Sequence, residues 1–224
     1  MITWIASYPR SGNHFFRTLL LNLYGLESVQ TGLLTTPVEE WLAAAEAVPQ
    51  RYYVKTHDLP RGDFHPAVYL VRDGRDALVS YAWFVLQVRQ NKETANISAD
   101  EYHHILARLI QSDNHHFGDW SANVRAWGAR PDTVVVRFEE LVQSPREVAI
   151  AAVSRLGLGL RPLPDGEVPT FEQMQRQRPK LVRRGQCGSW QDEFPDDLLS
   201  LFWERHGAVM HQFGYGERPA RQAA

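Results

Sequence analysis

Four short, mostly apolar runs constrain this chain more than any other feature of its sequence. They are ITWIAS (2–7), YYVKT (52–56), AVYLV (67–71) and TVVVRF (133–138). Runs of this length suit strands covered on both faces, as in a parallel sheet. Helical patterns fall between them, over 14–25, 37–48, 74–88, 98–111, 117–128, 144–157 and 195–214. The first ends at Gly25, a plausible C′ residue, and the second opens on Pro37 in its first turn. Ser98 with Glu101 three positions on has the pattern of a capping box. Strands alternating with helices imply right-handed βαβ crossovers. The expected fold is α/β, three-layered, with a central parallel sheet flanked by helices.

At 224 residues, with 44% hydrophobic and 22% charged residues, the chain has globular rather than disordered composition. The expectation is one domain over 1–216 and a flexible tail over 217–224. A formal net charge of -2 gives no bulk attraction for nucleic acid, so any anion site must be built locally. The single cysteine, Cys187, cannot form an internal disulfide, and no Cys/His spacing suggests zinc. The N-terminus lacks the pattern of a signal peptide, and no apolar run approaches membrane-spanning length. These features predict a soluble, cytoplasmic protein. Segments 161–169 and 178–194 read as loops, the second long enough to suggest function.

Four stretches can carry chemistry. YPRSGNHFF (8–16) joins the first strand to the first helix. It is either a tight turn or a cradle for an anion. Gly12 permits close backbone approach, the helix start offers unpaired N–H groups, and Arg10, Ser11, Asn13 and His14 add charge or donors. It is not a Walker loop, since no Gly-Lys-Ser/Thr follows. KTHDLP (55–60) lies at a strand's carboxyl end, where ligands gather in open α/β sheets. Lys55 and His57, two apart on an extended segment, point the same way. Neighbouring cations favour the neutral, proton-accepting form of His57. The alternative is a solvated lysine and a capping histidine. In YLVRDGRDALVSYAWF (69–84), Arg72 and Ser80 can grip a second phosphate, or Arg72 can pair with Asp73 or Asp76 on the surface. In RRGQCGSW (183–190), Arg183, Arg184 and Gly185 suit bidentate phosphate clamping, or form a basic surface loop.

In this order the four stretches resemble the sulfotransferases that use 3′-phosphoadenosine 5′-phosphosulfate (PAPS). That family's phosphosulfate loop reads roughly Y-P-K-S-G-T-T-W, its catalytic strand K-T-H-x-x-P, its 3′-phosphate segment R-[ND]-P-x-D with a later serine, and its late clamp R-K-G-x-x-G-D-W. VVVRFEELVQSP and TFEQM also resemble family segments. The resemblance covers residues 2 to about 194 and suggests a compact bacterial-type member with a P-loop-like fold. It implies that the 5′-phosphosulfate sits on residues Arg10 to His14, including Ser11, Gly12 and Asn13. Phe15, in place of a tryptophan, and Phe171 would pack on adenine. Arg72, Ser80, Arg183, Arg184 and Gly185 would hold the 3′-phosphate. His57 would be the general base on an acceptor hydroxyl or amine, with Arg10 and Lys55 neutralising developing charge. The product would be 3′-phosphoadenosine 5′-phosphate (PAP).

The sequence departs from the pattern at Arg10, where the family has lysine, at Asn13 and His14, and at Ser189, where it has aspartate. Arg10 keeps the charge but cannot give up its proton. No metal is expected, because a sulfuryl group carries less negative charge than a phosphoryl group. The acceptor, a small molecule or glycan, would meet the segment 87–120, with its YHH and NHH pairs, or an apolar wall of Tyr81, Trp83 and Phe84. The histidines there are metal ligands, groups that support the site from behind, or simply solvated or capping residues. Two other readings stay open. A P-loop kinase would use Asp73 as a magnesium ligand, and a non-catalytic protein would bind PAP or PAPS without turnover. The sequence says nothing of oligomeric state.

Overall fold

The computed structural model describes residues 1–112, 116–179, 182 and 185–216. In chain order its elements are β1 (Ile2–Ser7), α1 (Asn13–Tyr24), β2 (Ser28–Gln30), α2 (Val38–Glu46), β3 (Tyr52–Thr56), β4 (Ala67–Val71) and α3 (Gly74–Phe84). Next come α4 (Ala99–Gln111), α5 (Trp120–Gly128), β5 (Thr133–Arg137), α6 (Phe138–Gln143), α7 (Pro145–Arg155), α8 (Phe171–Gln177) and α9 (Asp196–Gln212). They form two compact units. One comprises Met1–Arg72 and Ala126–Pro169, the other Asp73–Arg125 and the described residues from Thr170 onward.

The first unit holds the sheet, ordered β2-β3-β1-β4-β5, with every pairing parallel. The expected α/β class, a central parallel sheet flanked by helices, is the fold found. The chain steps from β1 outward to β2 and β3 on one side, then to β4 and β5 on the other. Parallel pairing brings the carboxyl ends of β1, β3, β4 and β5 to one edge, and the reversal of strand order at β1 opens the crevice where α/β sheets bind ligands. The apolar stripe of α1, Phe16, Leu19, Leu20 and Leu23, packs with Ile5, Tyr53, Val68 and Leu70 of the sheet and Ala149 and Val153 of α7. Burial of these side chains, worth about 1.5–3 kcal/mol for each large one, fixes α1 on the sheet. Gly25 ends α1 in a left-handed conformation, φ 68°, its N–H bonding to the carbonyls of Leu20 and Leu21.

Four expected strands correspond to β1, β3, β4 and β5. The fifth, β2, is three half-buried residues, too short to leave a pattern. The run 133–138 stops at Arg137 because Phe138 already opens α6, and Pro145 at the first turn of α7 marks the break after it.

In the second unit, α3 passes after Phe84 into a single wider turn over Val85–Arg89. The Ser98–Glu101 capping box forms in full. α5 starts at Trp120 rather than 117 because the Asp119 carboxylate accepts from Ala122 N–H at 2.7 Å. α9 buries His206 completely. Its Nε2 donates to the Ile110 carbonyl at 3.1 Å, so Nδ1 accepts from Ser121 Oγ at 2.8 Å. That ring is a satisfied core histidine. Among the described residues, no helix is long and apolar enough to cross a membrane. The expected tail over 217–224 lies outside the described residues.

Candidate active site

The β1–α1 connection holds its shape through three features. Gly12 takes φ 91° at the helix N-cap, and a Cβ built there would stand 2.4 Å from the Phe138 ring. Arg10 is also left-handed, φ 70°, a strained conformation for a residue with a side chain. Asn13 is buried and donates through Nδ2 to the Ile5 carbonyl at 2.9 Å and to Ser7 Oγ at 3.3 Å, locking α1 to β1. No side chain caps the helix start. Ser11 is fully buried, yet its Oγ has no hydrogen-bond partner, and neither does Asn13 Oδ1. The N–H groups at the start of α1, the orphaned Ser11 hydroxyl, a glycine that lets the backbone approach and the Arg10 charge together fit a phosphate or sulfate oxyanion. Gly12→Ala is expected to lower stability by about 1–3 kcal/mol, from left-handed strain and overlap with Phe138, and to weaken anion binding. A urea midpoint and a PAP titration on that variant check both parts.

β3 supplies the second element. Strand alternation puts Tyr53, Lys55 and His57 on one face, and Tyr53 packs among the α1-facing core residues. His57 Nδ1 lies 2.7 Å from the Ser7 carbonyl and 3.3 Å from Ser7 Oγ. A carbonyl only accepts, so Nδ1 carries the proton and Nε2 is the basic nitrogen. The loop behind it is pinned. Asp58 N–H donates to Thr56 Oγ1 at 3.0 Å, and Trp127 Nε1 donates to the Asp58 carbonyl at 2.9 Å.

Electrostatics favour the neutral ring. Burial, then the Lys55 ammonium, and also Arg10 and Arg17, push the His57 pKa down to about 3, against the hydrogen bond to Ser7. The side chain keeps partial exposure, so the direction matters more than the depth: His57 is neutral across the physiological range. Lys55 is pushed down to about 8 by burial first and then by Arg17, with Asp58 opposing. Because the unfolded histidine protonates below its ordinary pKa and the folded one does not, stability falls as pH drops from 6.5 toward 3.

Arg72 directly follows β4 and is largely buried. Its Nη1 donates to the Arg10 carbonyl at 3.2 Å, and its guanidinium stacks on Phe138, 4.5 Å from the ring centroid. Arg72 thus braces the strained residue of the β1–α1 loop. Phe138 touches both Gly12 and Arg72, a part of the site not anticipated from sequence. His14 stands in the first turn of α1, its carbonyl accepting from Thr18 Oγ1. Phe15 is half-buried against the core.

The second unit carries Ser80, Phe171 and Gly185. Ser80 is buried on α3. Phe171 opens α8, whose Thr170–Gln173 capping box forms in full. Gly185 has φ 63°, and a Cβ there would fall 2.2 Å from the Phe171 ring, so only glycine brings this backbone against that face. Arg183 and Arg184 lie outside the described residues. Beyond them, Asp76 of α3 accepts from Gly188 N–H at 2.7 Å, Trp190 N–H at 3.0 Å and Ser189 Oγ at 3.1 Å. This carboxylate fixes the loop's second half to α3. Asp76→Ala strands two backbone donors, and a loss of about 2–4 kcal/mol in a denaturant titration is expected.

Asp73 caps α3 and is held by Arg75, Nε to Oδ1 at 3.0 Å and Nη2 to Oδ2 at 2.7 Å. Arg75 is itself buried over Trp190, 3.9 Å from the ring centroid. A carboxylate gripped on both oxygens by a buried guanidinium is a poor magnesium ligand, which weighs against the kinase reading. Of the candidate acceptor wall, Tyr81 is buried, and Trp83 stacks on Tyr102 at 5.1 Å. His103 and His104 are exposed on α4, while Asn114 and His115 lie outside the described residues. Among the described residues, no group of three His, Cys, Asp or Glu side chains could hold a metal ion.

Comparison with known proteins agrees with this architecture. The sulfotransferase domain family model matches residues 2–214. The fold is similar to that of mouse sulfotransferase SULT7A1 complexed with PAP, with TM-score 0.70 and 17% identity over 95% of this chain and 89% of that one. It is also similar to retinol dehydratase in a complex with retinol and PAP, with TM-score 0.62 and 17% identity over 98% of this chain and 83% of that one. The same dehydratase with androsterone and PAP gives TM-score 0.64 and 16% identity, over 99% and 83%. The comparison with curated proteins returned no match. With four ordered motifs, a central parallel sheet and a family match along nearly its whole length, this chain belongs to the sulfotransferase domain family.

Proposed function

We propose that this sulfotransferase takes its sulfuryl group from PAPS and that His57 is the base that activates the acceptor. The observation that carries the reading is the pairing, at one sheet edge, of a loop with a buried, unpartnered Ser11 hydroxyl at a helix start and a neutral histidine whose Nδ1–H is fixed on the Ser7 carbonyl. PAPS supplies an activated sulfuryl group on a phosphate leaving group. The loop N–H groups, Ser11 Oγ and Arg10 would hold the phosphosulfate, and the PAP seen in the related structures is the matching product. His57 Nε2 takes the proton of the acceptor hydroxyl as the oxygen–sulfur bond forms and the sulfur–phosphate oxygen bond breaks. Lys55 and Arg10 stabilise charge on the departing phosphate, in an in-line displacement governed by positioning and electrostatics.

Phe15 and Phe171 as adenine contacts, and Arg72, Ser80, Gly185, Arg183 and Arg184 as the 3′-phosphate set, complete the proposal. Retinol and androsterone in the related structures make a small-molecule hydroxyl the natural first class of acceptor. The test is transfer of radiolabelled sulfuryl from PAPS to a panel of phenols, alcohols and saccharides. Labelled product with stoichiometric PAP supports the reading. Tight PAP binding with no labelled product from any acceptor favours a nucleotide-binding protein without turnover.

A further inference from the structure

Asn13 stands where the family resemblance places the 5′-phosphosulfate, yet its side chain is already occupied. A primary amide has two N–H donors and one acceptor oxygen. One donor goes to the Ile5 carbonyl at 2.9 Å and the other to Ser7 Oγ at 3.3 Å. A carbonyl only accepts, so the Ile5 contact fixes which end of the amide is nitrogen. What remains is Oδ1, buried and without a partner. A bare acceptor oxygen cannot donate to an anion and repels one at close range. The amide is therefore not part of the anion cradle.

The Ser7 contact leads instead to the base. Ser7 ends β1 fully buried, and Asn13 is 5% exposed, so water does not compete for these bonds. Ser7 Oγ takes the Asn13 N–H on one side and faces His57 Nδ1 at 3.3 Å on another. The Ser7 carbonyl accepts from the same ring nitrogen at 2.7 Å. The Nδ1–H of the base thus meets both oxygens of one residue. Asn13 holds that residue by its side-chain oxygen and holds its strand two positions back, at the Ile5 carbonyl. The first residue of α1 is in this way joined to the base through Ser7, wholly inside the unit that carries the sheet.

We infer that Asn13 is a positioning residue for His57, acting through Ser7, so that the helix start which receives the leaving group also aims the base. The inference rests on the sulfotransferase reading above. One alternative is that Asn13 only ties α1 to β1. Another is that its amide binds the cofactor.

Single-turnover transfer from bound PAPS, with PAP calorimetry on the same variants, separates the three. Asn13→Ala is expected to slow transfer by about tenfold or more, because small displacements of a reacting group are costly, with the PAP dissociation constant within about threefold of native. Ser7→Ala leaves the Asn13–Ile5 bond in place, should also slow transfer, and serves if Asn13→Ala does not fold. Ser7→Thr keeps the hydroxyl and should stay near the native rate. Combining Asn13→Ala with Ser7→Ala should add less than about twofold to the larger single effect. In a His57→Ala background, either alanine variant should cost less than about twofold, because the group they aim is gone. A rate loss as large in that background as in the native chain overturns the inference. An unchanged native rate also overturns it and leaves only the tie between α1 and β1. PAP binding weakened about tenfold at an unchanged saturated rate would put the amide on the cofactor instead. Failure to sulfate any acceptor would defeat the sulfotransferase reading rather than this one. Nitrogen-15 NMR of the His57 ring, identified by its loss in His57→Ala, then reads the inference without turnover. With PAP bound, Asn13→Ala should shift or broaden that resonance, and an unmoved resonance overturns the inference.

Discussion

Replacing His57 with alanine is expected to lower kcat by about 10²–10⁴-fold while leaving the dissociation constant for PAP within about twofold of its starting value. The reasoning starts from the proton. Nδ1–H is spent on the Ser7 carbonyl, so the ring has one basic nitrogen, and the neighbouring cations keep it unprotonated. The substitution removes a neutral group, so the field that binds the anionic nucleotide keeps its strength. A residue that merely capped the strand end would show the reverse, with a stability loss and little change in kcat. Single-turnover rates with bound PAPS, alongside PAP calorimetry, make the distinction. Near-normal turnover would remove His57 from the base role.

Lys55 carries the second large effect. Lys55→Met should reduce kcat/KM by about 10²–10³-fold, the loss typical of removing one preorganised stabiliser of developing negative charge. The native enzyme should also show an alkaline limb in an unusual place. Burial and Arg17 hold the free-enzyme pKa of Lys55 at about 8, so kcat/KM should fall as pH rises through that value. A bound anion favours the ammonium form, so the corresponding limb in kcat lies at higher pH. Lys55→Arg keeps the charge at all accessible pH and should remove the limb, at some loss of activity from altered geometry. A profile that stays flat to pH 10 in the native enzyme would show that the Lys55 charge is not used.

Much of this was legible in the residues. Apolar runs of five or six residues separated by helical patterns permit little besides a parallel α/β sheet, and each such run of the sequence became a strand. The two-residue spacing of Lys55 and His57 determines that they share a face, because strand alternation depends on nothing further along the chain. What escaped were features made by tertiary contact or by very short segments. β2 is three residues long and is held by its pairing to β3. The role of Phe138 depends on its contacts with Gly12 and Arg72, far away in sequence. Arg17 sits one helical turn after Asn13 and looks like any surface cation until register places Ser28 beside it. α8 did carry a local signal, since Thr170 with Gln173 has the capping-box spacing. Ser98 with Glu101 has the same spacing, and a longer apolar periodicity follows it.

The central claim is that the cationic loop after β1 is the cradle of a 3′-phosphorylated adenine nucleotide. Calorimetric titration with PAP, set against ATP with magnesium under the same conditions, tests it most directly. The account predicts one-to-one binding of PAP without added metal, and ATP binding weaker by about tenfold or more. Absence of PAP binding, or a preference for magnesium-ATP, would contradict it.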